Sequence, residues 1–279
     1  MQVRSSYAMA LLLAGLLLAT EGCKKKSAVP VPAVPNSNVF KSPSGQTYTS
    51  TPMGELGPRD NDEPVTPPTV ILGRPSGDHF AGSARAAAKL SMADGAPREF
   101  NDLSDLLDSL PSDASMRAQG ISKDPSSGRL AEEMKLVTVT AFLYASSKEG
   151  DNDYHCVIGR EPSQSQRFMN VEVSALPPAG SEFFAAIKAA RDQFKAFFAN
   201  GDNALPTGGY VKYDPPIPVR VTGSLFFDVD HVPPQVGPTG MKPATAWEIH
   251  PVKEMIFEPQ TSAGVFFQHV IRGPYRAGF

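Results

Sequence analysis

Cysteine is scarce in this chain: Cys23 and Cys156 are the two among 279 residues. Two cysteines cannot build a disulfide framework, so the fold must rest on an apolar core. No apolar run reaches the roughly 20 residues that a membrane-spanning helix requires; the run Ala8–Ala19 falls well short. Basic runs are absent from residues 131–259, where 11 Lys and Arg face 16 Asp and Glu, a net charge of −5. Proteins bind a phosphate backbone through basic residues that release its counterions, so nucleic acid is an unlikely partner for this stretch. Also missing are a nucleophile elbow, a phosphate loop, a dinucleotide fingerprint and zinc-finger spacing. No enzyme class is marked by motif.

What is present begins with an export signal. Residues 1–22 combine Arg4, the apolar run and small residues at its exit, the build of a secretory signal peptide. The segment also resembles a bacterial lipoprotein signal, which implies lipidation of Cys23 after Gly22; Thr20 and Glu21 depart from that pattern. Lys24, Lys25 and Lys26 would then lie at the membrane surface, each adding about 1 kcal/mol of attraction to anionic lipid. The alternative is ordinary cleavage that leaves Cys23 an incidental thiol. Either way the chain is expected to be exported: as a lipoprotein facing the periplasm or cell surface, its partner the membrane through the N-terminal lipid, or else as a periplasmic or secreted protein.

Residues 23–100 read as a disordered linker, rich in Pro and Ser. Ten of the 27 prolines fall between Pro30 and Pro75, and such a composition buries little apolar surface. Ser83–Met92 has the makings of a short helix. Residues 101–130 form a short helical segment, capped by Asn101, with Leu103, Leu106, Leu107 and Leu110 on one face and Pro111 as the stop. It is expected to dock on the domain that follows.

That domain spans residues 131–259. Lys135–Ala145, Asp153–Gly159 and Phe168–Ala175 alternate with period two and read as strands. Val137, Val139, Ala141 and Leu143 face inward, as do Tyr154, Cys156 and Ile158, then Met169, Val171 and Val173. A helix follows over Ser181–Ala199, its apolar stripe made by Phe183, Ile187, Ala190, Phe194 and Phe197. Pro218–Phe227 and Trp247–Phe257 are the last strands, and Pro251 demands a bulge or an edge. The order β-β-β-α-β-β is that of the OB-fold, a five-stranded Greek-key barrel, and staphylococcal-nuclease-like domains share it. A small β-sandwich with a covering helix is the competing fold. Residues 260–279 form a C-terminal tail.

Candidate ligand or metal residues follow from the strand phases. Asp151, Asp153 and His155 lie in DNDYH, Asp228, Asp230 and His231 in FDVDH, and Glu248 and His250 in WEIHPV. Period two sets His155, Glu172 and His250 outward on three strands that neighbour each other in an OB barrel, with Asn170 on the same face of the third strand. The loops at the usual OB binding face carry Lys148, Glu149, Asp151, Asp228, Asp230 and His231. Imidazole with carboxylate suits zinc, iron or manganese, and carboxylate-rich loops suit calcium, so a divalent metal is a candidate cofactor, none being assigned from sequence. A solvated sheet face would look the same in sequence. A second candidate surface is aromatic: Phe142, Tyr144 and Phe226, outward like Arg220 and able to stack on bases or sugar rings, unless the Asn101 helix or the tail covers them.

The D-x-D-Y-H and W-E-I-H-P-V strands resemble a group of uncharacterised exported bacterial domains with an OB-like core. The resemblance covers Leu130 to Pro259 and is carried by Asp151, Asp153, His155, Asp228, His231, Glu248, His250 and Pro251. It implies fold and compartment and no activity. The expected function is an exported, lipid-anchored binding domain without catalysis of its own, its ligand a small molecule, glycan or protein. The alternative is a metal-dependent hydrolase, phosphodiesterase or nuclease-like, using the Asp/His/Glu residues on the barrel face, with Arg160, Arg167 and Arg220 available for a phosphate.

Overall fold

A computed structural model describes residues 36–57, 77–201, 204–231 and 236–259. The segment read as a signal peptide, Cys23, much of the segment read as a linker and the tail from residue 260 lie outside the described residues. No helix among the described residues is long and apolar enough to cross a membrane.

Five strands close into a barrel: β4 (Leu136–Lys148), β5 (Tyr154–Gly159), β6 (Phe168–Val173), β8 (Pro243–Phe257) and β7 (Val211–Phe227), with β7 returning to β4. The β6–β8 pairing is parallel and the other four are antiparallel. With one long helix, α4 (Phe184–Phe197), between the third and fourth barrel strands, this is the OB-like arrangement expected from the sequence. The alternation fills the barrel as read: Val137, Val139, Ala141, Leu143, Tyr154, Cys156, Ile158, Met169, Val171 and Val173 join one buried core. Cys156 is a free, buried thiol there.

Helix α4 adds Ile187, Ala190, Phe194 and Phe197 to buried surface. Phe194 packs on Tyr154 at 5.0 Å and on Phe198 at 5.2 Å, while Phe197 stacks on Phe257 at 4.0 Å. The helix begins three residues later than expected: Ser181 closes a turn on the Pro178 carbonyl through its amide and hydroxyl, and Phe184 donates to the Ser181 carbonyl. In the preceding segment α2 (Leu103–Asp108) is capped by Asp102, one residue beyond the expected Asn101, and buries Leu103, Leu106 and Leu107 in the barrel core. At the start of α3 (Asp113–Arg117), the Trp247 indole donates to the carbonyl of Pro111 at 2.9 Å, and Asp113 accepts from Thr245 and the amide of Ala246.

Two strands run longer than expected. β7 starts at Val211 because Pro215 and Pro216 sit within a register jump: Leu143 pairs with Ile217, and Ala145 pairs with Lys212. Prolines are tolerated where no ladder amide is needed. Pro251 likewise lies opposite a bulge, where the β7–β8 register shifts on both sides of Gly223. A Cβ at Gly223 would stand 2.6 Å from the Pro251 carbonyl, so glycine is required there.

The linker expected from 23 to 100 is shorter than its composition suggested. β1 (Asn38–Lys41) and β2 (Thr47–Pro52) form a hairpin that pairs with the start of β7, burying Phe40 and Tyr48. Residues 77–100 also pack: α1 (Ala86–Lys89) buries Ala88 and Lys89, and β3 (Arg98–Phe100) runs parallel to β4. Two buried aromatics suffice to pin a hairpin that proline content alone argues against.

Candidate functional site

Period two places His155 on β5, Asn170 and Glu172 on β6, and Glu248 and His250 on β8, all on the outer face of the barrel. Register brings them side by side: His155 lies opposite Glu172, and Asn170 opposite Glu248. The flanking loops add acids by one local device. In each D-x-D pair the first aspartate folds back, so that Asp151 Oδ1 accepts the amide of Asp153 at 3.0 Å and Asp228 Oδ1 accepts that of Asp230 at 2.7 Å. Asn152, at φ 78°, adopts the left-handed turn that asparagine tolerates, and the Glu149 amide closes the loop on the Asp153 carbonyl.

The outcome is not a solvated face. Glu149, Asp151, Asp153, His155, Asn170, Glu172, Asp228, His231, Glu248 and His250 are all buried. Residues 77–93 form part of the cover. Ala81 donates to the Asp151 carbonyl, Asn152 Nδ2 donates to the His79 carbonyl, and the Ala93 amide donates to Ser224. Lys89 reaches Asp228 at 3.7 Å. Arg85 clamps Glu133 through two bonds of 2.8 and 2.7 Å and lies over the Phe226 ring at 4.7 Å.

Inside the cluster, carboxylates and imidazoles alternate. His155 Nδ1 is 3.1 Å from both Glu149 Oε1 and Glu172 Oε1. His250 Nδ1 is 2.8 Å from Glu172 Oε2, and its Nε2 is 3.4 Å from Asp153 Oδ2. His231 Nδ1 is 2.7 Å from Glu248 Oε1, and Asn170 Nδ2 donates to the same oxygen at 3.4 Å. Three triads have their ligand atoms within 4.8 Å of one another: Glu149–His155–Glu172, Asp153–Glu172–His250 and Glu172–His231–Glu248. Glu172 belongs to all three.

Proximity here is not the same as pairing. His250 and Glu172 approach to 2.8 Å, yet neither His250 Nδ1 nor Glu172 Oε2 has a hydrogen-bond partner among the described residues. His155 Nε2, His250 Nε2, Asp153 Oδ2, Asn170 Oδ1 and Glu248 Oε2 are also buried without one. Leaving so many buried polar atoms unsatisfied would cost about 1–3 kcal/mol each. Donor atoms close together but not aimed at one another are what ligands of a shared cation present.

Electrostatics agrees. Burial and the neighbouring Asp151 and Glu172 push the Asp153 carboxyl well above its usual range. Burial and Glu172 push Glu248 up to about 7, against the pull of His231. Glu172 alone is held well below the carboxylate range, because His250 and His155 together outweigh its burial. Burial lowers His250 despite Glu172 beside it. The cluster is therefore short of positive charge at Asp153 and Glu248.

Of the residues named from the sequence, Asp153, His155, Glu172, His231, Glu248 and His250 converge in the triads. Asp151 and Asp228 shape the loops at the rim. Asp230 points away and pairs with Lys123. Sequence reasoning left Glu149 and Asn170 outside its candidate set, although both had been placed beside it, and it missed Lys89 and Arg85, which lie in the segment read as linker. The i, i+4 spacing of those two cations in RAAAK was the available signal.

Phe142, Tyr144 and Phe226 do not form one exposed aromatic surface. Phe226 is buried between Arg85 and the His250 ring, 5.3 Å away. Tyr144 is buried edge-on to Phe168 and donates its hydroxyl to the Arg160 carbonyl, in a satellite cluster with Tyr210 and Met241 against which Phe142 packs. The Asn101 helix is not their cover, and the tail lies outside the described residues. Arg160, Arg167 and Arg220 are spent on Asp102, Asp108 and Glu99 at 2.9, 2.7 and 2.8 Å. No family model, curated protein or solved structure matches this chain.

Proposed function

We propose that the chain is an exported binding domain whose OB-type face holds divalent metal in a buried carboxylate–imidazole centre. The observation that carries this reading is Glu172: fully buried and within 3.1 Å of two imidazoles, whose Nε2 atoms, on His155 and His250, have no hydrogen-bond partner among the described residues. Buried carboxylates in this number need cations, since an isolated buried charge shifts its pKa or neutralises rather than persist. Metal would supply the missing charge and give the orphaned nitrogens and oxygens a partner. Elemental analysis of the purified protein and of a His155→Ala/His250→Ala double variant tests this. Metal retained by the wild type and lost by the variant is expected; a metal-free wild type after growth and loading in zinc, manganese and iron would end the reading.

A metal-dependent hydrolase is favoured by one observation, the sharing of a carboxylate between triads, which is how two-metal sites are built. Burial of every ligand and the engagement of the three arginines elsewhere weigh against it, so binding is the better-supported role.

The address is part of the proposal. Cys23 would carry the lipid that fixes the domain to the membrane, with the barrel on the periplasmic side or the cell surface. Fractionation of cells making the wild type or Cys23→Ser should find the first in the membrane and the second soluble. Equal solubility of the two would remove the anchor.

A further inference from the structure

We infer that the centre holds at least two divalent transition-metal ions, bridged by the carboxylate of Glu172. This rests on the metal-binding reading above and goes beyond it in the number, sharing and class of the ions.

The two oxygens of Glu172 face different imidazoles. Oε1 lies 3.1 Å from His155 Nδ1, and Oε2 lies 2.8 Å from His250 Nδ1. Each side carries a second carboxylate of its own: Glu149 Oε1 stands 3.1 Å from His155, and Asp153 Oδ2 stands 3.4 Å from His250. Two sets of one imidazole and one private carboxylate are thus joined through one shared carboxylate. A single ion would serve one imidazole–carboxylate set and leave the other, with its orphaned Nε2, without a cation. Two ions served by opposite oxygens of one carboxylate sit roughly 3.5–4 Å apart, the spacing of two-metal sites.

Charge points the same way. Glu149, Asp153, Glu172 and Glu248 are all buried, with Asp151 and Asp228 buried at the rim. Among the described residues Lys89 is a buried ammonium that reaches this set, 3.7 Å from Asp228 and near enough to act on Asp153 and Glu172. One divalent ion cannot balance four central carboxylates; two can. Glu248, bonded to His231 at 2.7 Å and 3.9 Å from His250 Nδ1, is placed to orient the second set from outside. Two imidazoles among the direct ligands select manganese, iron, cobalt or zinc over calcium or magnesium, which prefer all-oxygen shells.

The test loads the full chain with manganese(II) alone, counts ions per chain by mass spectrometry and records the electron paramagnetic resonance spectrum. At least two ions per chain with an exchange-coupled spectrum are expected. Glu172→Gln, whose amide cannot bridge through two anionic oxygens, should lose the coupling and bind at most one ion. Should Glu172→Gln fail to fold, Glu149→Gln serves instead: it should give up one ion and leave an uncoupled signal from the other. One ion per wild-type chain, or two without coupling, would overturn the bridge while leaving the metal-binding reading in place. No manganese, and none with zinc or iron, would overturn both.

Discussion

Phe194→Asp is expected to leave no cooperatively folded protein at ambient temperature. Phe194 is fully buried on α4, ringed by Tyr154, Phe198 and Phe257 at 5.0, 5.2 and 6.1 Å. Removing a buried phenylalanine costs about 3–5 kcal/mol in lost contacts and cavity. An unpaired carboxylate in its place adds several more, or forces a proton onto itself at similar cost. A domain with a total stability of about 5–15 kcal/mol does not survive that sum. Lys188→Ala on the exposed face of the same helix removes only the surface pair with Asp192, and should change stability by under about 1 kcal/mol. Circular-dichroism melts of the two variants provide the check; a Phe194→Asp melt like that of the wild type would take α4 out of the core.

Chelation should have the next largest effect, and it should reverse the pH dependence. Each ion bound at a hundred times its dissociation constant stabilises the folded state by about 2.7 kcal/mol. Two such ions correspond to a fall in Tm of about 10–20 °C on their removal, at about 2–4 °C per kcal/mol for a domain of this size. Without metal, Glu248, held up to about 7, and Asp153, held well above its usual range, keep protons in the folded state that the unfolded chain has already released. Where the folded state binds more protons, stability falls as pH rises, so the stripped protein should be less stable at pH 8 than at pH 6.5. His250, with its pKa lowered, acts in the opposite sense, but only below the ordinary histidine value of 6.5. The lowered Glu172 matters only in acid, where protonating it removes stability. In the loaded protein, metal competes with those protons and binds more tightly as pH rises. Melts at both pH values, with and without chelator, should therefore diverge. A stripped protein that gained stability toward pH 8 would contradict the arrangement of Glu248 and Asp153.

The barrel was legible because its signals are local and repeated. Val137 to Leu143 and Met169 to Val173 alternate cleanly, and the stripe from Ile187 to Phe197 has helical period, so strand, helix and order could be read without contacts. The same alternation put His155, Glu172 and His250 on one face. What it could not supply was the environment of that face. Burial of the cluster depends in part on residues 77–93, and a stretch dominated by Ala, Gly and Ser carries no period to reveal that it folds back over a sheet. The aromatic surface failed in part for that reason: Phe226 is outward in phase, as expected, but Arg85 covers it, while Tyr144 packs with Phe168 and Tyr210 in a separate cluster. The β1–β2 hairpin escaped notice because its four- and six-residue strands lie amid prolines, and it is held by pairing with β7 and by two buried aromatics, Phe40 and Tyr48. Short edge strands are held by what they touch, and sequence composition is silent on that.

The early start of that hairpin has a mechanical consequence. Under the proposed lipidation of Cys23, 15 residues separate the anchor from Asn38, where β1 begins, rather than the 77 that separate it from residue 100. A fully extended chain advances at most about 3.3–3.6 Å per residue, which limits the leash between bilayer and barrel to about 50 Å instead of well over 200 Å. Such a domain would patrol a layer one or two protein diameters deep. It would meet ions and neighbours close to its own membrane, and could not reach across the compartment to anything held on the far side.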